Sequence, residues 1–202
     1  MKPQSYIFMG RYGAGKGTQA KLLIEALAKA DPDRKSIHIE TGAEFRKFFG
    51  SDQNHTAQLT KKVVESGGLM PEFMPIYMWG RLLVSEYTGD EHIVFDGTPR
   101  KLLEAKVLDE LPSFYGQNKP WLIYLDVDHE ESSKRLSLRA KDGNRKDDSE
   151  DALRERRVEY EKNIIPTIEW YRTNPNVNFL DIDGERTIEE IHADIVKKVG
   201  LE

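Results

Sequence analysis

The sequence predicts an α/β fold, a parallel sheet with helices on both faces, and three observations carry that prediction. Apolar runs of strand length alternate with stretches of helical spacing along the chain. The run Trp121-Leu122-Ile123-Tyr124-Leu125-Asp126-Val127 is nearly all apolar, as expected of a strand buried on both faces. A glycine-rich turn stands between the first strand and the first helix. At 202 residues the chain has the length of one domain with a core of its own.

The elements follow in order. Tyr6-Ile7-Phe8-Met9 is the first strand, and the stripe Leu22, Leu23, Ala26, Leu27, Ala30 marks the helix after the glycine turn. Ser36-Ile37-His38-Ile39 is the second strand, closed by the turn Thr41-Gly42. Segments 43–50 and 55–66 read as short polar helices without a core stripe, so residues 41–71 form a peripheral flap ended by Gly67-Gly68. A longer helix runs from Pro71 to about Thr88, with Pro75 tolerable only in its first turn. His92-Ile93-Val94-Phe95 is the third strand and ends in Asp96-Gly97. Helix 101–110 stops at Pro112, and the fourth strand then leads to helix 129–139. Residues 140–150 read as an exposed loop, and 151–172 as a long helix kinked at Pro166, which removes a backbone hydrogen bond. Val177-Asn178-Phe179-Leu180-Asp181-Ile182 is the fifth strand, and Thr187 with Glu190 forms a capping box that starts the last helix.

Composition removes several functions. Lys and Arg number 30 against 35 Asp and Glu, a formal charge of −5, so the global basic excess of a nonspecific nucleic-acid binder is missing. With no cysteine, a disulfide framework, a thiolate nucleophile and a cysteine zinc site are all excluded. No apolar run approaches the ~18 residues of a membrane span, and Met1-Lys2-Pro3-Gln4-Ser5 leads directly into a strand; a cytoplasmic location with no membrane partner is expected. The histidines His38, His55, His92, His129 and His192 are too scattered to form a metal cluster and are read as ordinary.

The strongest chemical signal is Gly10-Arg11-Tyr12-Gly13-Ala14-Gly15-Lys16-Gly17-Thr18, a G-x-x-x-x-G-K frame set between strand and helix. Glycines let backbone N–H groups curl toward a phosphate, the helix start adds partial positive charge, and Lys16 supplies a full one. Generic loops of this kind place Ser or Thr after the lysine to hold Mg²⁺. Here Gly17 intervenes and Thr18 follows, so the metal is expected to be held largely through water. If the first and third strands are close, Asp96 faces this loop and orients Mg²⁺ or its waters; the other reading makes it a cap on the Gly97 turn.

Lys16-Gly17-Thr18-Gln19 with Asp96-Gly97-Thr98-Pro99-Arg100 resembles the adenylate kinase family of nucleoside monophosphate kinases, whose signatures are GxxGxGKGTQ and DGFPR. Thr41-Gly42-Ala43-Glu44-Phe45-Arg46 is similar to the family's T-G-x-x-x-R, and Gly67-Gly68-Leu69-Met70-Pro71 to its G-x-L-V-P. Arg135 and Arg139 match the helix arginines before the lid, Arg145-Lys146-Asp147-Asp148 matches the lid exit R-x-D-D, and Arg154, Arg156 and Tyr160 match R-x-R-x-x-x-Y. The resemblance runs in order from about residue 5 to 200, and the tail Asp183-Gly184 also falls in place.

That resemblance implies a P-loop NTPase three-layer sandwich with a five-stranded core. A helical monophosphate-binding flap would span about 41–71 and a short lid about 139–150. It implies reversible, Mg²⁺-dependent transfer of the ATP γ-phosphoryl to a nucleoside monophosphate, with AMP foremost, by a monomer whose partners are nucleotides. Charge spread over a transferring phosphoryl calls for fixed cations rather than covalent chemistry. By resemblance Gly13, Ala14, Gly15, Lys16, Gly17, Thr18, Arg135, Arg139 and Arg186 serve the ATP side, with Arg135 stacking on the adenine. Arg46 and Arg100 grip the monophosphate, while Thr41, Gly42, Leu69, Met70 and Gly97 line its base pocket. Arg139, Arg145 and Arg156 close on the transferring group, with Lys16 and Arg100 completing the catalytic set. Only Ala140-Lys141-Asp142-Gly143-Asn144 separates Arg139 from Arg145, too few for a lid domain.

The chain departs from the family in three places. Thr98 replaces Phe, and Glu104 replaces Gln four residues after Arg100. An ionised Glu only accepts hydrogen bonds, which suits a base such as guanine and broadens or weakens AMP selectivity; alternatively Glu104 points to solvent. Arg11-Tyr12 stands where the family favours small residues or Pro, where bulk narrows the path between nucleotides or Arg11 adds a phosphate contact. Three rival functions are weaker. A kinase for a non-nucleotide acceptor needs neither Arg46 nor Arg100 in their motifs. A GTPase needs N-K-x-D, which Asn118-Lys119-Pro120-Trp121 fails. A nucleotide-binding partner without catalysis would not need the matched arginines.

Overall fold

Strands Ser5–Gly10 (β1), Ser36–Glu40 (β2), His92–Asp96 (β3), Trp121–Asp126 (β4) and Asn178–Asp183 (β5) form a five-stranded parallel sheet in the order β2-β3-β1-β4-β5. A computed structural model describes residues 1–141 and 149–201 of the chain. Burial explains the order. Every residue of β1 and β3 is buried, whereas the edge strands β2 and β5 expose part of their side chains. Pleating divides each inner strand between the two faces. Ile7, Met9, Phe95, Leu122 and Tyr124 enter one apolar cluster, and Tyr6, Phe8, Val94, Ile123 and Leu125 the other.

Helices Lys16–Ala30 (α1) and Ile188–Val199 (α10) cover the second cluster with Leu23, Leu27, Ile191 and Ile195. The first is covered by Thr41–Ser51 (α2) and His55–Glu65 (α3) only at a distance, through Phe73–Glu86 (α4), whose Trp79 and Leu83 enter the cluster. Met74 and Met78 on α4 instead meet Phe45 of α2, a small separate core that anchors the 41–71 segment. Leu102–Leu108 (α5) and Ile165–Arg172 (α9) complete that face with Leu108, Ile168 and Tyr171. Leu111–Phe114 (α6) and His129–Lys141 (α7) flank β4, and Glu150–Glu159 (α8) precedes α9.

The architecture agrees with the α/β expectation, and four boundaries are corrected. The turn expected at Thr41-Gly42 is the first turn of α2, which starts directly after β2. Pro112 does not end a helix at 110; α5 ends at Leu108, and Pro112 sits in the first turn of α6, where a missing N–H costs nothing. Helix 129–139 extends to Lys141 as α7. The long helix 151–172 is three pieces: α8, a π-helical turn Tyr160–Ile164, and α9 with Pro166 in its first turn. The widened turn, in which Ile165 N–H reaches Tyr160 O, is how the chain passes the proline without ending the rod. The capping box at Thr187 is present in both directions. Residues 142–148, with Arg145 and most of the expected lid, lie outside the described residues.

Candidate functional site

Parallel strands end at one edge, and the loops leaving β1, β2 and β3 frame a cleft of about 590 Å³ there, a volume suited to small-molecule ligands. The glycine loop after β1 forms one wall. Gly13 has φ +83°, and a Cβ on it would stand 2.9 Å from Ser132 O and 3.0 Å from Leu136 Cγ, so only glycine lets the loop lie against α7. Lys16 Nζ donates to Gly10 O (2.9 Å) and Arg11 O (2.6 Å), which bends its side chain back over the loop. Gly13, Ala14, Gly15, Lys16, Gly17 and Thr18 all line the cleft.

Asp96 ends β3 in register with Phe8 of β1 and Glu40 of β2, one strand away from the loop. Its carboxyl approaches α1 so closely that a Cβ on Gly17 would lie 3.0 Å from Asp96 Oδ2. This contact is a physical reason for glycine where generic loops carry Ser or Thr. Burial pushes the Asp96 carboxyl up from the usual carboxylate range; the Lys16 ammonium pulls it down, and Glu40 beside it adds to the rise.

On the acceptor wall, Thr41, Gly42 and Arg46 come from α2, Leu69 and Met70 from the stretch after α3, and Gly97, Arg100 and Glu104 from the stretch after β3. The Arg46 guanidinium bonds Glu40 Oε1 at 3.0 Å. Thr41 Oγ1 is buried and has no hydrogen-bond partner among the described residues. Arg100 Nε donates to Gly97 O (2.7 Å) and its Nη1 to Tyr12 Oη (2.8 Å). Glu104 does not point to solvent, which corrects that reading: it is 2% exposed and lines the cleft. Its Oε1 accepts from Thr98 Oγ1 and its Oε2 from the Arg100 N–H at 2.7 Å, so two of the departures from the family pattern are one hydrogen-bonded unit. Burial raises its pKa; the Thr98 hydroxyl and the Arg100 N–H oppose the rise.

The opposite wall carries the remaining arginines. Arg135 and Arg139 lie one helical turn apart on α7 and face the cleft. Arg135 is fixed by Glu131 Oε1 (2.8 Å) and Gly184 O (2.9 Å), and Arg186 by Asp194 Oδ2 (2.8 Å). Arg156 on α8 is 6% exposed, a buried cation at the back of the site. Every residue named from the sequence for this site lines the cleft, with Arg145 outside the described residues. Sequence reasoning missed Glu40, Gln19 (Nε2 to Ile188 O, 3.0 Å) and Ile188. The Gln of the K-G-T-Q run was the available signal for the second. Of the two residues left open in the loop, Tyr12 lines the cleft, while Arg11 lies over the Tyr160 ring, 4.1 Å from its centroid.

Comparison of the sequence with known proteins shows the family. A sequence model described as adenylate kinase matches residues 8–176. A protein of Phocaeicola vulgatus named adenylate kinase is 32% identical over 197 residues, 96% of each chain. Another of that name, from Flavobacterium psychrophilum, is 33% identical over 189 residues, 92% of each chain, and one from Bacteroides thetaiotaomicron is 29% identical over 195 residues.

Proposed function

We propose that this chain, which belongs to the adenylate kinase family and is a phosphotransferase, uses the cleft to move the γ-phosphoryl of ATP onto AMP, giving two ADP. The observation that carries the proposal is convergence: Lys16, Arg46, Arg100, Arg139, Arg156 and Arg186, far apart in sequence, line one cleft in a chain of net charge −5. Such a cluster suits two phosphate chains meeting head to head, where charge is stabilised on the equatorial oxygens. The glycine loop and Lys16 would hold the ATP phosphates, with Arg135, Arg139 and Arg186 on the same side. Arg46 and Arg100 would grip the acceptor phosphate, and Thr41, Gly42, Leu69, Met70 and Gly97 its base. Arg156, and Arg145 beyond the described residues, would close on the transferring group.

Mg²⁺ fits the donor set: Asp96 is a buried carboxylate turned to the loop, and Thr18 brings a hydroxyl to the same wall. Bound there, the ion would neutralise charge on the donor phosphates. AMP is the acceptor we favour, as in the relatives named adenylate kinase: Glu104 is held by the Thr98 hydroxyl and the Arg100 N–H, which fixes its carboxyl in place rather than leaving it free to turn toward a guanine. The 41–71 segment would act as the flap over that acceptor and the 139–150 region as a short lid. Both exclude water, which would otherwise take the phosphoryl. We read the enzyme as a monomer, as the family resemblance implies. We place the enzyme in the cytoplasm, beside its nucleotide pool; among the described residues no helix is long and apolar enough to cross a membrane.

A coupled assay of ATP against AMP, GMP, CMP and UMP tests this directly. AMP turnover should dominate, two linked adenosines should inhibit tightly, and Lys16→Ala should cost about a hundredfold or more in kcat with an unchanged Tm. A preference for another monophosphate, or near-normal activity in Lys16→Ala, would sink the proposal.

A further inference from the structure

Three cations of the cleft converge on one aromatic ring. The centroid of the Tyr12 ring lies 5.0 Å from Arg100 Cζ, 5.0 Å from Arg156 Cζ and 6.0 Å from Lys16 Nζ. The phenol oxygen accepts from Arg100 Nη1 at 2.8 Å. The three cations come from separate parts of the chain: the start of α1, the stretch after β3 and the middle of α8. The ring itself is held from below. Ser132 Oγ of α7 donates to Tyr12 O at 2.6 Å, Gly13 presses on the same helix, and the side chain is half-buried against the apolar cluster that contains Ile164.

Like charges gathered in a cleft repel, more strongly as water is excluded. Backbone carbonyls bind two of the three cations, Gly10 O and Arg11 O on Lys16 and Gly97 O on Arg100. The negative face of an aromatic ring attracts all three, and the hydroxyl gives one guanidinium a fixed direction. Tyr12 also stands between the two walls: Lys16 belongs to the donor side and Arg100 to the acceptor side, and both reach it.

We propose that Tyr12 is a positioning residue for phosphoryl transfer, its ring and hydroxyl holding Lys16, Arg100 and Arg156 aimed at the point where donor and acceptor phosphates meet. Tyr12 acts through these cations and touches no reacting atom. The two parts of its side chain have separable consequences. The hydroxyl aims Arg100, so it governs the acceptor; the ring holds all three cations together, so it governs the chemical step. The inference rests on the phosphotransfer reading above, which wild-type turnover of ATP with AMP tests by itself.

The experiment is steady-state kinetics on wild type, Tyr12→Phe and Tyr12→Leu, with Tm recorded for each. Tyr12→Phe keeps the ring and should retain kcat within about threefold while KM for AMP rises about two- to fivefold and KM for ATP stays put. Tyr12→Leu removes the ring and should lower kcat about tenfold or more, with a Tm close to wild type. Wild-type kcat in Tyr12→Leu overturns the proposal. So does a parallel loss in both variants that follows Tm, the mark of mere packing. Should Tyr12→Leu not fold, the Phe variant decides alone: equal KM changes for ATP and AMP, or none, overturn the assignment.

Discussion

A single carboxyl shows how finely the site is set. Asp96 is buried at the end of β3 between Lys16, which favours its ionised form, and Glu40, which opposes it, and burial dominates, so its pKa lies above the ordinary carboxylate value of ~3.9. If the ionised form organises the metal, activity must fall on acidification at a pH higher than an unperturbed aspartate would give. The expected result is an acid limb in kcat/KM above the ordinary carboxylate range. Asp96→Asn should lose turnover by about a hundredfold or more together with that limb. A limb that persists in the residual activity of Asp96→Asn would assign it to another group. The presence of Asp96 was legible in the sequence because it closes an apolar run, and strand order alone brings it to the loop. Its closeness to Gly17 was not legible, since that depends on the distance between α1 and β3. The same holds for Glu104: helical spacing does not say which face of α5 is covered, and only docking on Trp79 and Thr98 turns it inward. Tyr12 was visible as bulk in a loop of small residues, yet its partners Arg100 and Arg156 are 88 and more residues away.

Elements were legible where one periodicity governed and less so where a proline could act in two ways. Pro112 and Pro166 both interrupt apolar helical patterns, and both begin helices, because the first turn needs no N–H from them. The π turn before Pro166 answers to packing on both sides: Tyr160 and Ile164 stay in the core, and the extra residue keeps them there while the proline ring clears the carbonyl one turn back. At the start of β3 the reading of His92 as an ordinary residue hides a consequence for stability. His92 is fully buried; its Nδ1 accepts from Gln4 N–H (3.2 Å), and its Nε2 lies 3.7 Å from Asp31 Oδ2. Burial lowers its pKa, Arg34 and the terminal ammonium add to the drop, and Asp31 opposes it. A folded pKa below the unfolded ~6.5 means the unfolded chain binds more protons, so this stability is complete above that pH and is lost as pH falls from there toward the lower folded value. Thermal melts from pH 8 to 5 should show the loss, and His92→Gln, which keeps an acceptor for Gln4, should flatten the slope between pH 7 and 5. An unchanged slope would move the effect to other groups.

At the scale of the molecule, function depends on two walls meeting across a cleft, and the chain marks their contact with a glycine. Gly67 follows α3 on the acceptor wall, with φ +81°, and a Cβ there would lie 2.3 Å from Ala152 O in the first turn of α8. No side chain fits that gap, and the left-handed backbone is itself unfavourable to any residue but glycine. The α8 turn is rigid there, since Ala152 is buried and Ser149 caps the helix by accepting its N–H. Gly67→Ala must therefore push the acceptor wall outward rather than deform α8. Stability should fall by about 1–3 kcal/mol, and KM for AMP should rise several-fold while KM for ATP changes little, because the donor wall is untouched. Gly80→Ala on α4 supplies the comparison for stability: nothing lies within 4 Å of its Cβ, so it should gain about 0.5–1 kcal/mol from reduced backbone entropy. If Gly67→Ala instead raises both Michaelis constants alike, the two walls move as one body and the acceptor segment is no independent flap.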